Sequence, residues 1–365
     1  MLGRFRTPRR VSVYWYAINK FGVSMLDANI SLEQQLESLK GQRKGPYLGH
    51  NPVSATQIWQ WCSAMGDNNP SYAPGNHQIA PPAMMQMWTM RDINDRYAPN
   101  STDASPYQVF DEMGQRGYSS NVAVSYDITF HRYLQVGDSA QHYTRIVAIS
   151  DKKTTALGVG FFVTECIEYL TLDGESFADA LITYFQYQPS ATDEKKADFD
   201  TKCHSRQMGA ELSSATPPAS GQTDYIDLEV SAVRIGDCLP EVVIPITHRL
   251  IVAGALATQD FIPVHHNACA AQAAGMPDIF MNILTSSGLC ARYLGDWAGM
   301  SSRLKKLQFN LRAPNLPGDS MVMQGEVIAV ATSSLPVLVT VAFTGENSVG
   351  MHISGNATLA LAETK

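Results

Sequence analysis

The chain has 365 residues, of which 45% are apolar and 17% charged, with a formal net charge of −7. That composition excludes disorder over most of the length, and its acidic balance argues against a nucleic-acid footprint. Mean hydropathy is −0.12, and no apolar run approaches the ~20 residues that a bilayer-spanning helix needs. Six scattered cysteines with no CxxC pair fit reduced thiols in a cytoplasmic setting better than a disulfide framework.

In chain order, residues 1–25 form a basic N-terminal extension. Its first 24 residues carry Arg4, Arg6, Arg9, Arg10 and Lys20 and no acid. They read either as an Arg-rich transit peptide or, more simply, as a basic tail or an over-extended reading frame with Met25 as the start. Residues 189–222 are rich in Ser, Thr, Ala, Pro and charge without apolar period. That composition predicts a linker between blocks 26–188 and 223–365.

The two blocks repeat one internal order. The first passes through Gly66-Asp67-Asn68-Asn69-Pro70-Ser71-Tyr72 to an apolar stretch opened by Pro82. Proline in the first turn predicts a helix over about 82–95. Alternating, β-branched runs follow at 122–130, 142–149, 158–172 and 178–187, separated by turns such as Val136-Gly137-Asp138. The second block runs from Gln259-Asp260-Phe261-Ile262-Pro263-Val264-His265 to a helix predicted over about 280–296. Strands are predicted at 306–313, 321–330, 336–343 and 350–361. YLQVGDS in the first block and APNLPGDS in the second hold equivalent places. One long helix wrapped by antiparallel strands, occurring twice, is an α+β pattern with internal duplication.

Asp260-Phe261-Ile262-Pro263-Val264-His265 resembles the D-x-N-P-x-H signature of MaoC-like, R-specific enoyl-CoA hydratases. GDNNPSY in the first block is the same signature with Tyr72 in the place of His. Over roughly 26–365 the chain resembles a double hot-dog protein. Its second block looks like the catalytic subunit of bacterial steroid side-chain enoyl-CoA hydratases, and its first like their partner subunit. The resemblance implies water addition to a bulky, steroidal α,β-unsaturated acyl-CoA. It assigns Asp260 and His265 to activating that water, and the backbone N–H of Asn282 to the thioester oxyanion. Hydration needs one group to take a proton from water and one to protonate Cα, and a His reference pKa of about 6.5 suits either task. The family's Gly and Asn are Gln259 and Ile262 here. Tyr72, with a reference pKa of about 10, is no base near neutral pH, so the first block reads as a degenerate lobe shaping the acyl pocket.

Arg303, Lys305, Lys306 and Arg312 form the densest basic run of the second block. They are candidates for the CoA phosphates, and a solvated strand face explains them equally. Met84, Met85, Met87 and Met90 either line an acyl pocket or form plain core. No metal-ligand spacing is present, and no cofactor beyond the CoA of the substrate is implied. The partners expected are the acyl-CoA, a thiolase-like aldolase and a second copy in a homo-oligomer, with no nucleic acid and no membrane. The competing function is a non-catalytic acyl-CoA-binding or scaffolding lobe of an aldolase complex, motivated by Tyr72 and Ile262.

Overall fold

The computed structural model describes residues 31–75, 78–155, 157–189, 225–332 and 335–362. The basic extension and nearly all of the predicted linker lie outside the described residues.

Every strand run predicted from alternation forms a strand: β2 (Ser120–Phe130), β3 (Ala140–Ile149), β5 (Gly158–Thr171), β6 (Ser176–Pro189), β8 (Arg303–Leu311), β9 (Asp319–Ala331), β10 (Leu338–Asn347) and β11 (Gly350–Ala360). Three further strands, β1 (Lys44–Leu48), β4 (Lys153–Thr154) and β7 (Cys238–Ile246), had no sequence signal. All join one antiparallel sheet in the order β1-β3-β5-β6-β2-β8-β11-β10-β9-β7, with β4 on β5. Read from the centre outward, β2-β6-β5-β3-β1 and β8-β11-β10-β9-β7 are the same arrangement. The halves meet where β2 pairs with β8, Tyr126 opposite Phe309 and Ile128 opposite Leu307. Along β5 the inward residues alternate strictly from Phe161 to Thr171, so the period of two sets which face meets the core.

Helices fill the concave side. In the first half, α1 (Leu32–Leu39) opens on a Ser31–Gln34 capping box, α2 (Ala55–Met65) on Ser54, and α3 (Gln108–Gln115) follows a long irregular segment. In the second half, α4 (His248–Ala257) is capped by Thr247, the short α5 (Ala268–Ala273) by Asn267, and the 16-residue α6 (Ile283–Ala298) by Asn282. The helix predicted near 280–296 is α6. Eleven of its residues are buried, as suits the helix at the centre of the wrap.

The helix predicted over 82–95 does not form. Pro82–Met84 and Met87–Thr89 are two separate 3-10 turns instead. Side chains 81–85 and 87–89 are all buried, so the segment lacks the one-sided apolar stripe of a surface-lying helix. Pro81 in the capping position offers no side-chain acceptor for the first N–H groups. Tighter bonds close the turns, Met84 N–H to Pro81 O at 3.0 Å and Thr89 N–H to Gln86 O at 3.2 Å. The Gln86 side chain is held by the Tyr126 hydroxyl. Met84, Met85 and Met87 are at most 4% exposed and belong to the main core.

Candidate active site

Both signature segments leave a helix through a left-handed residue, turn, and enter a 3-10 turn. Gly66 ends α2 at φ 66°, and Gln259 follows α4 at φ 55°. Glycine is at ease there, whereas glutamine carries a Cβ penalty. Asp67 N–H bonds Cys62 O at 2.9 Å, and Asp260 N–H bonds Ala255 O at 2.9 Å. Tyr72 N–H bonds Asn69 O at 3.0 Å, and His265 N–H bonds Ile262 O at 3.2 Å. These two backbone bonds are therefore duplicated between the motifs, and the side chains differ.

In the second half the turn brings Asp260 and His265 together, 8% and 6% exposed, with Oδ2 and Nε2 3.5 Å apart. His265 Nδ1 lies 2.7 Å from Phe280 O. A carbonyl oxygen only accepts, so Nδ1 carries a proton and the ring turns Nε2 toward Asp260. At 3.5 Å the two atoms stand beyond an ordinary direct hydrogen bond, and a shared water suits the gap.

Asn282 completes the site with its side chain. Its Nδ2 donates to Asp260 Oδ2 at 2.9 Å and to Thr258 Oγ1 at 2.8 Å. Its Oδ1 accepts the Thr285 N–H at 2.8 Å, capping α6. The Thr258 hydroxyl donates to Ala255 O at 3.1 Å, so the Asn282 carboxamide and the Thr258 hydroxyl are both partnered, whereas the buried Thr285 hydroxyl is not. The Asn282 backbone N–H stands at the first of the four helix positions without an intrahelical acceptor. Ile262, in the place of the signature asparagine, is 44% exposed and offers Asp260 only its N–H, 3.4 Å from Oδ1. The carboxamide missing from the signature thus arrives from α6. The sequence reading gave Asn282 a backbone role and missed this side-chain role. Its signal was an asparagine immediately before an apolar helix, the N-cap preference.

The first-half motif is assembled differently. Burial raises the Asp67 carboxyl to about 6, against the bond from Asn69 N–H. Arg292, reaching from the far end of α6, donates to Met65 O at 2.8 Å and pairs with Asp296 at 3.2 Å. Proline replaces asparagine at the corresponding entry, since Pro81 precedes the first 3-10 turn as Asn282 precedes α6.

The basic run does not gather into one patch. Arg303 lies at the start of β8, bonded to Met300 O and Ser302 O and 5.5 Å from the Tyr133 ring. Lys305 is half-buried along the strand, and Lys306 pairs with Asp127 at 3.1 Å. Arg312 is exposed beyond the other end of β8. At about 3.4 Å per residue, Arg303 and Arg312 are some 30 Å apart along the strand. Among the described residues no group of three or more His, Cys, Asp or Glu could hold a metal ion, and no helix is long and apolar enough to cross a membrane.

Residues 38–180 match the family described as FAS1-like, dehydratase domain region. The chain is 39% identical over 130 residues to the 3-oxo-4,17-pregnadiene-20-carboxyl-CoA hydratase beta subunit of Mycobacterium tuberculosis, covering 36% of this chain and 98% of that one. The chain belongs to the MaoC-like hot-dog hydratase family. It is a hydro-lyase of α+β, double hot-dog architecture. The alpha subunit of the same-named M. tuberculosis hydratase is 32% identical over 162 residues, 42% of this chain and 50% of that one. The MaoC-like chain thus spans about half the length of that relative. Among solved structures, a MaoC-like dehydratase superposes with a TM-score of 0.65 at 16% identity, over 90% of this chain and all of the other. A conserved M. tuberculosis protein described as having a double hotdog fold superposes at 0.55 with 12% identity, over 89% and 97%.

Proposed function

We propose that the chain hydrates the α,β-double bond of a bulky, steroidal acyl-CoA, with Asp260 and His265 activating the water. The observation that carries this is the 3.5 Å gap between Asp260 Oδ2 and Nε2 of His265, whose Nδ1 is engaged by Phe280 O. Water held between the two gives a proton to the pair as its oxygen bonds to Cβ. The proton is returned to Cα, so one water is added and the pair ends as it began. Negative charge that develops on the thioester oxygen is met by the Asn282 N–H at the positive end of α6.

The substrate class is supported by the relatives, an alpha and a beta subunit both named for 3-oxo-4,17-pregnadiene-20-carboxyl-CoA. Similarity to both kinds of subunit supports a fusion of the two in one chain. The first lobe then serves acyl binding, because Tyr72 replaces the base there. Arg303, Lys305 and Arg312 remain proposed partners of the CoA phosphates, with Arg312 foremost. It adjoins residues 313–315, which support the entry to α6. A thiolase-like aldolase consuming the tertiary hydroxyacyl product, and a cytoplasmic setting, belong to the same proposal.

Of the two motives for the scaffolding alternative, Ile262 is answered by the Asn282 carboxamide on Asp260, while Tyr72 stands. The deciding assay compares linear with steroidal enoyl-CoA substrates by loss of the conjugated thioester absorbance, with Asp260→Asn as control. Steroidal hydration abolished in the control is expected. Equal efficiency on crotonyl-CoA would reject the bulky substrate, and unchanged turnover in Asp260→Asn would reject the chemistry.

A further inference from the structure

Two side chains with no part in the proposed chemistry lie directly behind the site. Ser286 and His352 are 1% and 2% exposed. Ser286 Oγ is 2.9 Å from His352 Nε2, and His352 Nδ1 is 2.7 Å from Ala313 O. The carbonyl again requires the proton on Nδ1, so the Ser286 hydroxyl donates to Nε2. Burial lowers the His352 imidazole to about 4, which preserves this neutral tautomer at neutral pH.

A serine bonded to a neutral histidine that a third group orients is the arrangement of an activated nucleophile. Here both partners are sealed from solvent, and a substrate carbonyl cannot approach. The pair instead fastens a helix to a strand. Ser286 sits in the first turn of α6, where its N–H donates to Asn282 O at 3.2 Å. His352 belongs to β11, and its own carbonyl accepts the Arg312 N–H at 2.9 Å. The adjoining Asn315 O accepts the Met281 N–H at 3.0 Å.

The three residues held in this way have consecutive duties. Phe280 O fixes the His265 tautomer, Met281 is the anchor, and Asn282 orients Asp260 and caps α6. A shift of the α6 entry therefore moves the partners of both catalytic candidates together. We infer that Ser286 and His352 form a positioning pair that sets the depth of the α6 N-terminus and, through residues 280–282, the alignment of Asp260 with His265. The kinetic consequence rests on the hydration reading, whereas the geometric one stands without it.

The test uses the full chain with Ser286→Ala, His352→Gln and the double variant. Alanine is the best helix former, so Ser286→Ala should fold and carries the test alone if His352→Gln does not. A misplacement near 1 Å can cost 10²-fold in rate, so kcat is expected to fall about 5- to 50-fold with KM held within about threefold. The double variant should lose no more than the worse single one, as residues acting as a unit do. Isotope-labelled histidine gives a second readout, in which the His265 Nδ1 proton resonance should shift or exchange faster in Ser286→Ala. Wild-type kcat with an unmoved His265 resonance would overturn the inference, even if thermal stability fell. A covalent acyl-enzyme, formed by the wild type and lost in Ser286→Ala, would overturn it in favour of a nucleophile. If the wild type hydrates no enoyl-CoA, the hydration reading fails, and the His265 resonance alone decides the positioning pair.

Discussion

Asn282 caps α6 with one atom and orients Asp260 with another, and substitution can separate the two effects. Asn282→Ala removes both. Loss of the cap costs about 1 kcal/mol of stability. Loss of the 2.9 Å bond to Asp260 removes a donor to a carboxylate, a contact of about 1.5–3 kcal/mol. If that energy holds Asp260 in its working orientation, at about 1.36 kcal/mol per decade kcat falls about 10- to 150-fold. Asn282→Ser keeps a good capping oxygen but has no amide to reach Asp260, so it should recover most of the stability and little of the rate. Asn282→Asp keeps the acceptor for Thr285 N–H and sets a carboxylate against Asp260, so it should be the worst of the three. Initial rates of steroidal enoyl-CoA hydration and denaturant midpoints measure the two effects. Wild-type kcat in Asn282→Ser would refute the argument that this amide orients the proposed catalytic carboxylate.

Asp260→Asn and His265→Ala should each lower kcat by about 10²–10⁴, the span of general acid–base groups, with circular dichroism unchanged. Tyr72→Phe should leave turnover within about tenfold, and a larger loss would show that the first motif still works. Burial raises the Glu165 carboxyl to about 7. The stability linked to its proton is present below its unfolded value near 4.5 and is lost as pH rises through 7. Glu165→Gln, neutral throughout, should match the wild type near pH 4.5 and exceed it by up to about 3 kcal/mol at pH 8, read from denaturant midpoints across pH. Gln259 sits at φ 55°. Gln259→Gly should therefore hold or raise stability by up to about 1 kcal/mol, whereas β-branched Gln259→Val should lose more than about 1 kcal/mol. A neutral valine variant would show that the strain is relieved elsewhere.

The repeat, the strands and the Asp260/His265 pair were legible in the sequence because each rests on a local rule. Alternation marks one face of a strand whatever its neighbours, and eight strand segments followed from it. The signature turn is equally local. Its backbone bonds span five residues or fewer, so GDNNPSY and QDFIPVH fold alike wherever they stand. The long helix before Gly299 was legible from its apolar content, although its N-cap asparagine was not recognised as such. The first-half helix was misread for the same reason, since Pro82 and the run of methionines satisfy local helix rules. Only the surrounding core decided otherwise, by burying that segment on every side. Tertiary structure alone also delivered the Asn282 carboxamide to Asp260 across 22 residues and coupled Ser286 to His352 across 66. It likewise spread Arg303 and Arg312 to opposite ends of β8. Periodicity fixes which way a side chain faces relative to its own backbone. Which distant group it then meets is set by the registry of packed elements, and no short window of sequence contains that.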